Sequence, residues 1–391
     1  MSVTDTQYTE LETLIAELVK IETENPPGNE GDCAEFIQSW FADRGIDADL
    51  LTDPYPDRPQ VGVSVGDGDP TLVLNGHIDV VPAGDLEQWE YDPYGAERVG
   101  NSLYGRGSVD MKTGVAIGML ATVEFANAIE SGDLSGSVVF QAAIGEETAE
   151  PGTKTLLEQG YDGDYGVVLE PTGFKTATSE KGLAWYEISV AGDPSHASRP
   201  DQGANAIDGA RPVLDALASY DDTVRERSAD LVGQAYATVT MLEAGTKENV
   251  VPERATITVD RRFLPDETVT DIDAEIDELL SDVESEHEIS TSWTRTRTYE
   301  SAAIDPESPL ATSFRDHSAA LADAPTEPWG VQASTDVRNF INDAQTEAIT
   351  WGPGDMTQAH TYNEHVDLED AATGLEILRS AGREILAGES G

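Results

Sequence analysis

The sequence is poor in cysteine and in long apolar runs, and each shortage excludes a class of protein. Cys33 is the single cysteine among 391 residues, so the chain cannot contain an internal disulfide framework. The first residues show no basic segment followed by an apolar one, so we expect no secretory signal. No stretch approaches the roughly 18 consecutive apolar residues of a membrane-spanning helix. These absences predict a cytoplasmic protein that does not enter the membrane.

Basic residues are also scarce. There are 23 Lys and Arg residues against 75 Asp and Glu residues, which gives a net charge of −52. Such a charge repels nucleic acids and anionic membranes, so neither is an expected partner. The acidic residues are spread over the whole chain, unlike those of an acidic tail. Because the Debye length falls to about 3 Å at 1 M salt, self-repulsion would be screened there. We therefore predict a high-salt cytosol, as in salt-in halophiles.

The order of the apolar segments predicts an α/β fold with two domains. Apolar strands alternate with helices in the first part of the chain, which indicates a mainly parallel sheet. The rhythm then changes to a β-α-β-β-α order within about 110 residues, a normal size for a small two-layer α+β domain. Alternation of helix and strand returns afterwards. We predict a discontinuous catalytic domain of residues 1–179 and 294–391, with residues 180–293 inserted as a lid domain.

Histidines and carboxylates occur where predicted strands end or where a helix begins. Six side chains follow this pattern: His77, Asp110, Glu146, Glu147, Glu170 and His360. The functional crevice of an open α/β sheet lies at the carboxyl ends of its strands, so we expect these side chains to converge. Imidazole and carboxylate without thiolate suit catalytic Zn²⁺, with Co²⁺ or Mn²⁺ as substitutes. The acids suffice for two cations about 3.5–4 Å apart that share a carboxylate.

Other candidate motifs have simpler interpretations. His365 is an alternative ligand to His360, whereas His287 and His317 lie outside any motif and are predicted to be surface residues. Ser64 fits G-x-S-x-G, but it lies within a predicted strand rather than at a strand-to-helix turn. "DIDAEIDELL" has the apolar spacing of a helix and lacks the glycine of a calcium loop. "GRGSVDMKTG" lacks the spacing of a phosphate-binding loop.

Eight motifs in order resemble a known family. They are "GHIDVVP", "GRGSVDMKTG", "GEE", "LEPT", "HASRPDQGANAI", "ENVVPERATITVDRRFLP", "STDVRNF" and "AHTYNEHV". Together they resemble the zinc metallopeptidase family that contains acetylornithine deacetylase, succinyl-diaminopimelate desuccinylase, aminoacylase and glutamate carboxypeptidase. The resemblance covers nearly the whole chain. It implies two Zn²⁺ ions that share Asp110: His77 and Glu170 complete one site, and Glu147 and His360 complete the other.

The resemblance also implies roles for five further residues. Glu146 would be the general base that takes a proton from metal-activated water and passes it to the leaving amine. Asp79, two residues after the first histidine ligand, would accept the second N–H of that ring. In the lid, His196 would stabilise the oxyanion, and Asn249 and Arg262 would bind substrate, the arginine through a bidentate contact with a carboxylate.

The implied reaction is hydrolysis of the amide bond of an N-acyl amino acid, of the acetylornithine or succinyl-diaminopimelate type, in amino-acid biosynthesis. "EKGLAW" and "STDVRNF" depart from the pattern of bacterial desuccinylases, so a general N-acyl-amino-acid deacylase fits as well. Two alternatives remain: a metallo-carboxypeptidase or dipeptidase with the same chemistry, and a non-catalytic member of the fold that binds a small ligand. The family habit also implies a homodimer formed through the lid.

Overall fold

The computed structural model describes residues 4–387, which form two compact units. The first unit contains residues 4–178, 304–330 and 335–387, and the second contains residues 179–303 and 331–334. The outermost residues of the predicted catalytic domain, 1–3 and 388–391, lie outside the described part. None of the helices in the described part is both long and apolar enough to cross a bilayer.

The described residues contain eight α-helices and eighteen β-strands. The helices are α1 (Asp5–Lys20), α2 (Gly31–Ala42), α3 (Lys112–Ser131), α4 (Gly152–Glu158), α5 (Ala206–Val224), α6 (Val269–Glu286), α7 (Pro309–Ala322) and α8 (Leu368–Leu386). The strands are β1 (Asp49–Leu51), β2 (Gln60–Val65), β3 (Thr71–His77), β4 (Glu97–Val99), β5 (Ser102–Tyr104), β6 (Ser137–Ala143), β7 (Tyr165–Val168), β8 (Ala177–Glu180), β9 (Gly182–Ala191), β10 (Ser228–Ala229), β11 (Gly233–Gln234), β12 (Tyr236–Ala244), β13 (Arg254–Phe263), β14 (Thr291–Tyr299), β15 (Ala302–Ala303), β16 (Trp329–Val331), β17 (Glu347–Thr350) and β18 (His365–Asp367).

The central sheet of the first unit has a parallel middle and antiparallel edges. Its strand order is β1-β2-β6-β3-β7-β17-β8, and the four strands β6, β3, β7 and β17 run parallel. Leu72, Leu74 and Phe140 belong to the large core on one face, which α1, α3 and α8 help to form. Val73 and Val139 pack with α4 on the other face. Burial on both faces explains why these strands are almost wholly apolar, and the predicted α/β fold class is confirmed.

Small residues allow α3 to approach the end of β7. A Cβ atom on Gly114 would lie only 2.1 Å from the carbonyl oxygen of Leu169, and one on Gly118 would lie 2.8 Å from Leu169 Cδ1. Any larger side chain would therefore push the helix away from the strand. Since Asp110 precedes α3 and Glu170 follows β7, this close contact helps bring the two carboxylates together.

The second unit has two layers. Its antiparallel sheet has the order β12-β13-β9-β14, and alternate residues of the central strands face α5 and α6. Tyr186 and Ile257 from the sheet pack with Val213 and Ile276 from the helices. The pattern of one buried and one exposed face follows from the alternation of side chains along a strand.

The second unit is longer than predicted, and two motifs have the structures that the sequence predicts. The unit continues to residue 303, beyond the predicted end at 293, because β14 adds an edge strand to its sheet. Ser64 lies inside β2, away from any strand-to-helix turn. The acidic "DIDAEIDELL" segment is part of the continuous helix α6, with Ile272 and Ile276 buried. Neither segment has the structure of an active-site or calcium loop.

Candidate metal centre

Each of the four central parallel strands leads to part of one cluster. β3 ends at His77, and β6 is followed by the 3₁₀ turn that carries Glu146 and Glu147. Glu170 lies two residues after β7, and the loop after β17 carries His360. The carboxyl ends of parallel strands form one edge of a sheet, so residues far apart in sequence meet there.

Asp110 lies at the centre of the cluster. Its Oδ1 atom is 3.1 Å from His77 Nε2, and its Oδ2 atom is 3.3 Å from His360 Nε2. Glu170 Oε1 lies 3.4 Å from His77 Nε2, and Glu147 Oε2 lies 3.0 Å from His360 Nε2. One carboxylate therefore faces both imidazoles, and each imidazole has a second carboxylate beside it. The structure brings all five predicted ligands together.

The chemistry of these side chains fits divalent cations. Donor atoms of His77, Asp110 and Glu147 lie within 4.8 Å of one another, a spacing that can hold an ion. All five side chains offer imidazole nitrogen or carboxylate oxygen, and none offers sulfur. Nitrogen and oxygen donors of this kind are typical of catalytic zinc sites. The two oxygens of Asp110 point to different histidines, as a bridging carboxylate between two ions requires.

The crowded charges shift the pKa values of the cluster. Burial and the neighbouring Asp110 raise the pKa of Glu147, and they raise that of Glu170 to about 7. Burial also acts against ionisation of Asp110, but the two imidazoles hold its pKa below the ordinary range. Hydrogen bonds with Asp110 and Glu147 raise the pKa of His360 to about 10. Divalent cations would stabilise this concentration of carboxylates directly.

Glu146 is half-buried beside the cluster. Burial raises the pKa of its carboxyl well above the ordinary value, His77 opposes the shift, and Asp336 and Glu170 add to it. A raised pKa makes a carboxylate a better proton acceptor, which is the property that a general base needs.

Asp79 contacts the cluster through different atoms from those predicted. His77 Nδ1 lies 2.9 Å from the backbone carbonyl oxygen of Asp79, whereas the nearest carboxylate oxygen is 3.6 Å away. The buried carboxylate instead accepts the backbone N–H groups of Gly145, Glu146 and Glu147 at 2.9, 3.3 and 3.2 Å. Gly145 has a φ of +80°, which favours glycine and starts the turn. Asp79 thus orients the ring with its main chain and holds the turn with its side chain.

Two polar residues near this turn were not predicted, one that supports the turn and one that holds the helix after it. Asn25 Nδ2 lies 3.0 Å from Asp79 Oδ2 and 2.7 Å from Thr148 Oγ1. Asp336, in the "STDVRNF" motif, accepts a 2.6 Å hydrogen bond from the Thr153 hydroxyl. The "STDVRNF" motif was a usable signal for Asp336. Asn25 carries no comparable signal, because it lies outside every motif identified in the sequence.

The three predicted lid residues belong to the second unit. His196 Nδ1 lies 2.8 Å from the Ser198 hydroxyl, and the ring is exposed. The carbonyl oxygen of Asn249 accepts the Ala197 N–H at 3.0 Å, so the segments carrying His196 and Asn249 are adjacent. Arg262 forms a two-point ion pair with Asp260 on its own strand, at 2.8 and 3.1 Å.

The remaining histidines lie in other surroundings. His365 begins β18 and stacks against Tyr104 with ring centroids 4.6 Å apart. His287 follows α6 at an exposed position, and His317 Nε2 lies 3.0 Å from Glu384. The sequence offered both His360 and His365 as a metal ligand, and His360 is the one that lies beside Asp110 and Glu147.

The fold and the cluster define the class of protein. An α/β domain that presents imidazoles and carboxylates at its strand ends has the architecture of a metallohydrolase. The chain matches the family described as Peptidase family M20/M25/M40 over residues 73–384, and it belongs to that family. The resemblance seen in the sequence is confirmed, and the protein is a metal-dependent amidohydrolase or peptidase.

Similar proteins extend over almost the whole chain. A Staphylococcus aureus (strain MRSA252) protein named "Probable succinyl-diaminopimelate desuccinylase" is 26% identical over 95% of this chain and 97% of its own length. The N-formyl-4-amino-5-aminomethyl-2-methylpyrimidine deformylase of Bacillus subtilis (strain 168) is 26% identical over 94% of this chain and 93% of its own. The crystal structure of an M20 family metallo-carboxypeptidase from Sulfolobus solfataricus has a TM-score of 0.77, 16% identity, and coverage of 95% and 98%. The last similarity shows the fold.

The contacts of Asp79 predict the effect of Asp79→Asn. Each carboxylate oxygen of Asp79 accepts two hydrogen bonds, and the asparagine side chain would replace one of these oxygens with an NH₂ donor. Since donors would then face a donor, we expect the free energy of unfolding to fall by about 1–3 kcal/mol. Chemical denaturation of both proteins measures this loss. Asp164→Asn is the control, because that exposed carboxylate accepts one backbone N–H from Thr71 at 2.8 Å. Equal stability of Asp79→Asn and the control would contradict the anchoring role.

Proposed function

We propose that the protein is a di-zinc hydrolase that cleaves the amide bond of an N-acyl amino acid, of the acetylornithine deacetylase or succinyl-diaminopimelate desuccinylase type. The observation that carries the proposal is the position of Asp110, which offers one oxygen to each of two histidines. The relatives named as a desuccinylase and a deformylase support removal of an acyl group rather than cleavage of a long peptide.

The proposed ligands follow the two halves of the cluster. One ion would be held by His77, Asp110 and Glu170, and the other by Asp110, Glu147 and His360. Zn²⁺ suits these donors, and Co²⁺ or Mn²⁺ are substitutes. Bound metal would polarise the amide carbonyl and lower the pKa of water to near 7.

Glu146 is the proposed general base. Its half-buried carboxyl takes a proton from the attacking water and delivers it to the leaving nitrogen, which needs a proton to depart as an amine. Asp79 supports this step by holding the backbone of Glu146 in place. A non-catalytic small-ligand-binding protein would have no use for a proton acceptor at this position.

We assign substrate contacts to the second unit. His196 would donate to the oxyanion that forms at the amide carbon, and Asn249 lies on the adjacent segment. Arg262 would bind a substrate carboxylate through its planar guanidinium. Since Asp260 occupies that guanidinium, the substrate carboxylate would have to share or replace this partner.

The alternative is a metallo-carboxypeptidase or dipeptidase. It uses the same proton transfers and differs in the groups that flank the amide. The Sulfolobus carboxypeptidase shares the fold, so the fold is compatible with this alternative as well.

We further propose a homodimer formed through the second unit. Strand β12 is an edge of its sheet, and Met241 and Leu242 on it are 53% and 51% exposed. Ile207, at the start of α5 in the same unit, is 41% exposed. Edge strands with exposed apolar residues readily pair with another chain.

A cytoplasm with high salt is the proposed setting. The net charge at pH 7 is −52, so the acidic side chains repel one another, and dissolved salt screens that repulsion.

Glu146→Gln tests the proposed base. The amide keeps the shape but cannot accept a proton, so we expect turnover to fall by about 10²–10⁴-fold while zinc content is unchanged. Turnover and metal content are measured on the same preparation. Glu158→Gln, at an exposed position on α4, is the control. Full activity of Glu146→Gln would remove Glu146 from the mechanism.

A substrate panel separates the two enzyme activities. The zinc or cobalt enzyme is assayed with acetylornithine, succinyl-diaminopimelate, acetylated neutral amino acids and glutamyl dipeptides, at low salt and at molar KCl. We expect hydrolysis of an N-acyl amino acid, abolished by a chelator and greater at high salt because self-repulsion is screened. Hydrolysis of dipeptides alone would establish the alternative, and activity that is indifferent to chelators would contradict the metal mechanism.

Charged residues on β12 test the dimer. We expect the double variant Met241→Lys, Leu242→Lys to sediment as a monomer while the wild type sediments as a dimer, because lysine on an edge strand opposes pairing. Leu321→Lys is the matched control, since Leu321 is a 40% exposed apolar residue of the first unit. A monomeric wild type would rule out the dimer, and a dimeric double variant would place the interface elsewhere.

A further inference from the structure

Glu364 is a buried carboxylate that belongs to none of the proposed metal ligands. It is 1% exposed and lies directly before β18, which pairs with β5 through His365 and Tyr104. A carboxylate is rarely buried this completely unless it is paired. Its partners therefore indicate why it is there.

Within residues 4–387, the polar contacts of Glu364 go to the segment that ends at Asp110. Glu364 Oε1 accepts the backbone N–H groups of Val109 at 2.9 Å and Asp110 at 3.1 Å. Oε2 accepts a 2.5 Å hydrogen bond from Arg106 Nη1, and the carbonyl oxygen of Glu364 accepts the Gly105 N–H at 2.9 Å. Burial raises the pKa of Glu364, but Arg106 and the two backbone donors favour the ionised form. Four hydrogen bonds thus join one residue to residues 105–110.

This arrangement links two of the ligand-bearing segments. His360 lies four residues before Glu364, and its imidazole faces Asp110 Oδ2 at 3.3 Å. Glu364 holds the main chain of Asp110, so it constrains the direction in which that carboxylate points. The other Asp110 oxygen faces His77, on a third segment. The side chain of Glu364 reaches the cluster through the backbone N–H groups of Val109 and Asp110.

We propose that Glu364 is a positioning residue of the metal centre: by fixing the backbone of Asp110 against the segment that carries His360, it sets the geometry in which one carboxylate serves two metal ions. This inference rests on the proposed function, since it assumes that Asp110 bridges the ions. It assigns Glu364 no contact with metal or substrate.

Glu267 offers a matched comparison in the second unit. Its Oε2 accepts the Leu264 N–H at 2.9 Å, and its Oε1 pairs with Arg261 at 2.5 Å and Arg227 at 2.7 Å. Like Glu364, Glu267 is a carboxylate held by arginine and by backbone N–H, although it has two arginines and one N–H where Glu364 has one arginine and two N–H groups. The difference is that none of the partners of Glu267 is a proposed ligand.

The test compares Glu364→Gln with Glu267→Gln in the full-length chain. Metal-depleted protein is titrated with Zn²⁺ in competition with a chromophoric chelator, and with Co²⁺ while its visible absorption is recorded. We expect Glu364→Gln to bind at least one of two ions about 10–100-fold more weakly, as is usual when a group that orients a ligand is lost, with an altered cobalt spectrum. Glu267→Gln should keep wild-type affinity and spectrum, even where its melting temperature falls.

Glu364→Asp covers the case in which the glutamine variant does not fold. The aspartate keeps the charge but shortens the side chain by one methylene group, so it cannot reach both Arg106 and the backbone, and weaker binding is again expected. Wild-type affinity in a folded Glu364 variant, or an equal loss in Glu267→Gln, would overturn the inference. A wild type that binds no more than one ion would overturn the proposed di-metal function itself, which is a separate result.

Discussion

The structure depends on one carboxylate that two imidazoles share. Asp110 can face His77 at 3.1 Å and His360 at 3.3 Å only if three chain segments meet at its position. Several separate features of the fold bring these three segments together. Gly114 lets α3 approach β7, and the parallel sheet delivers the histidine of β3 to the same edge. The shared carboxylate therefore explains local choices in the sequence that propensity alone does not.

Backbone N–H groups are the second constraint on the cluster. A group of carboxylates in a protein of net charge −52 cannot rely on abundant basic side chains. Asp79 solves the problem with three consecutive N–H groups, and Glu364 uses two N–H groups and Arg106. Main-chain dipoles stabilise an anion without adding a mobile charge. In both cases the carboxylate that is stabilised also fixes the segment that carries the proposed ligands.

The sequence predicted the fold class, the order of elements and the residues that meet at the sheet edge. Those predictions rest on signals that are local, such as the apolar runs of β3 and β6, or that depend on the rule for strand ends. The sequence could not predict that His77 contacts the backbone carbonyl oxygen of Asp79 rather than its carboxylate. A sequence pattern gives the position of a residue but does not distinguish its main-chain oxygen from its side-chain oxygens. Asn25 and Glu364 were not predicted because neither follows a strand end, and Glu364 lies unassigned inside the "AHTYNEHV" motif. The second unit ends later than predicted because β14 is an edge strand with a weaker apolar pattern.

The residues proposed for catalysis and those proposed for substrate binding lie in different units. The side chains proposed to activate water and move protons all belong to the first unit, and they would act on the amide group, which every candidate substrate shares. His196, Asn249 and Arg262 belong to the second unit and would contact the groups around the amide. Changes in those contacts can alter the substrate without disturbing the cluster. Such a division of roles would be consistent with similar chains that carry names as different as desuccinylase and deformylase.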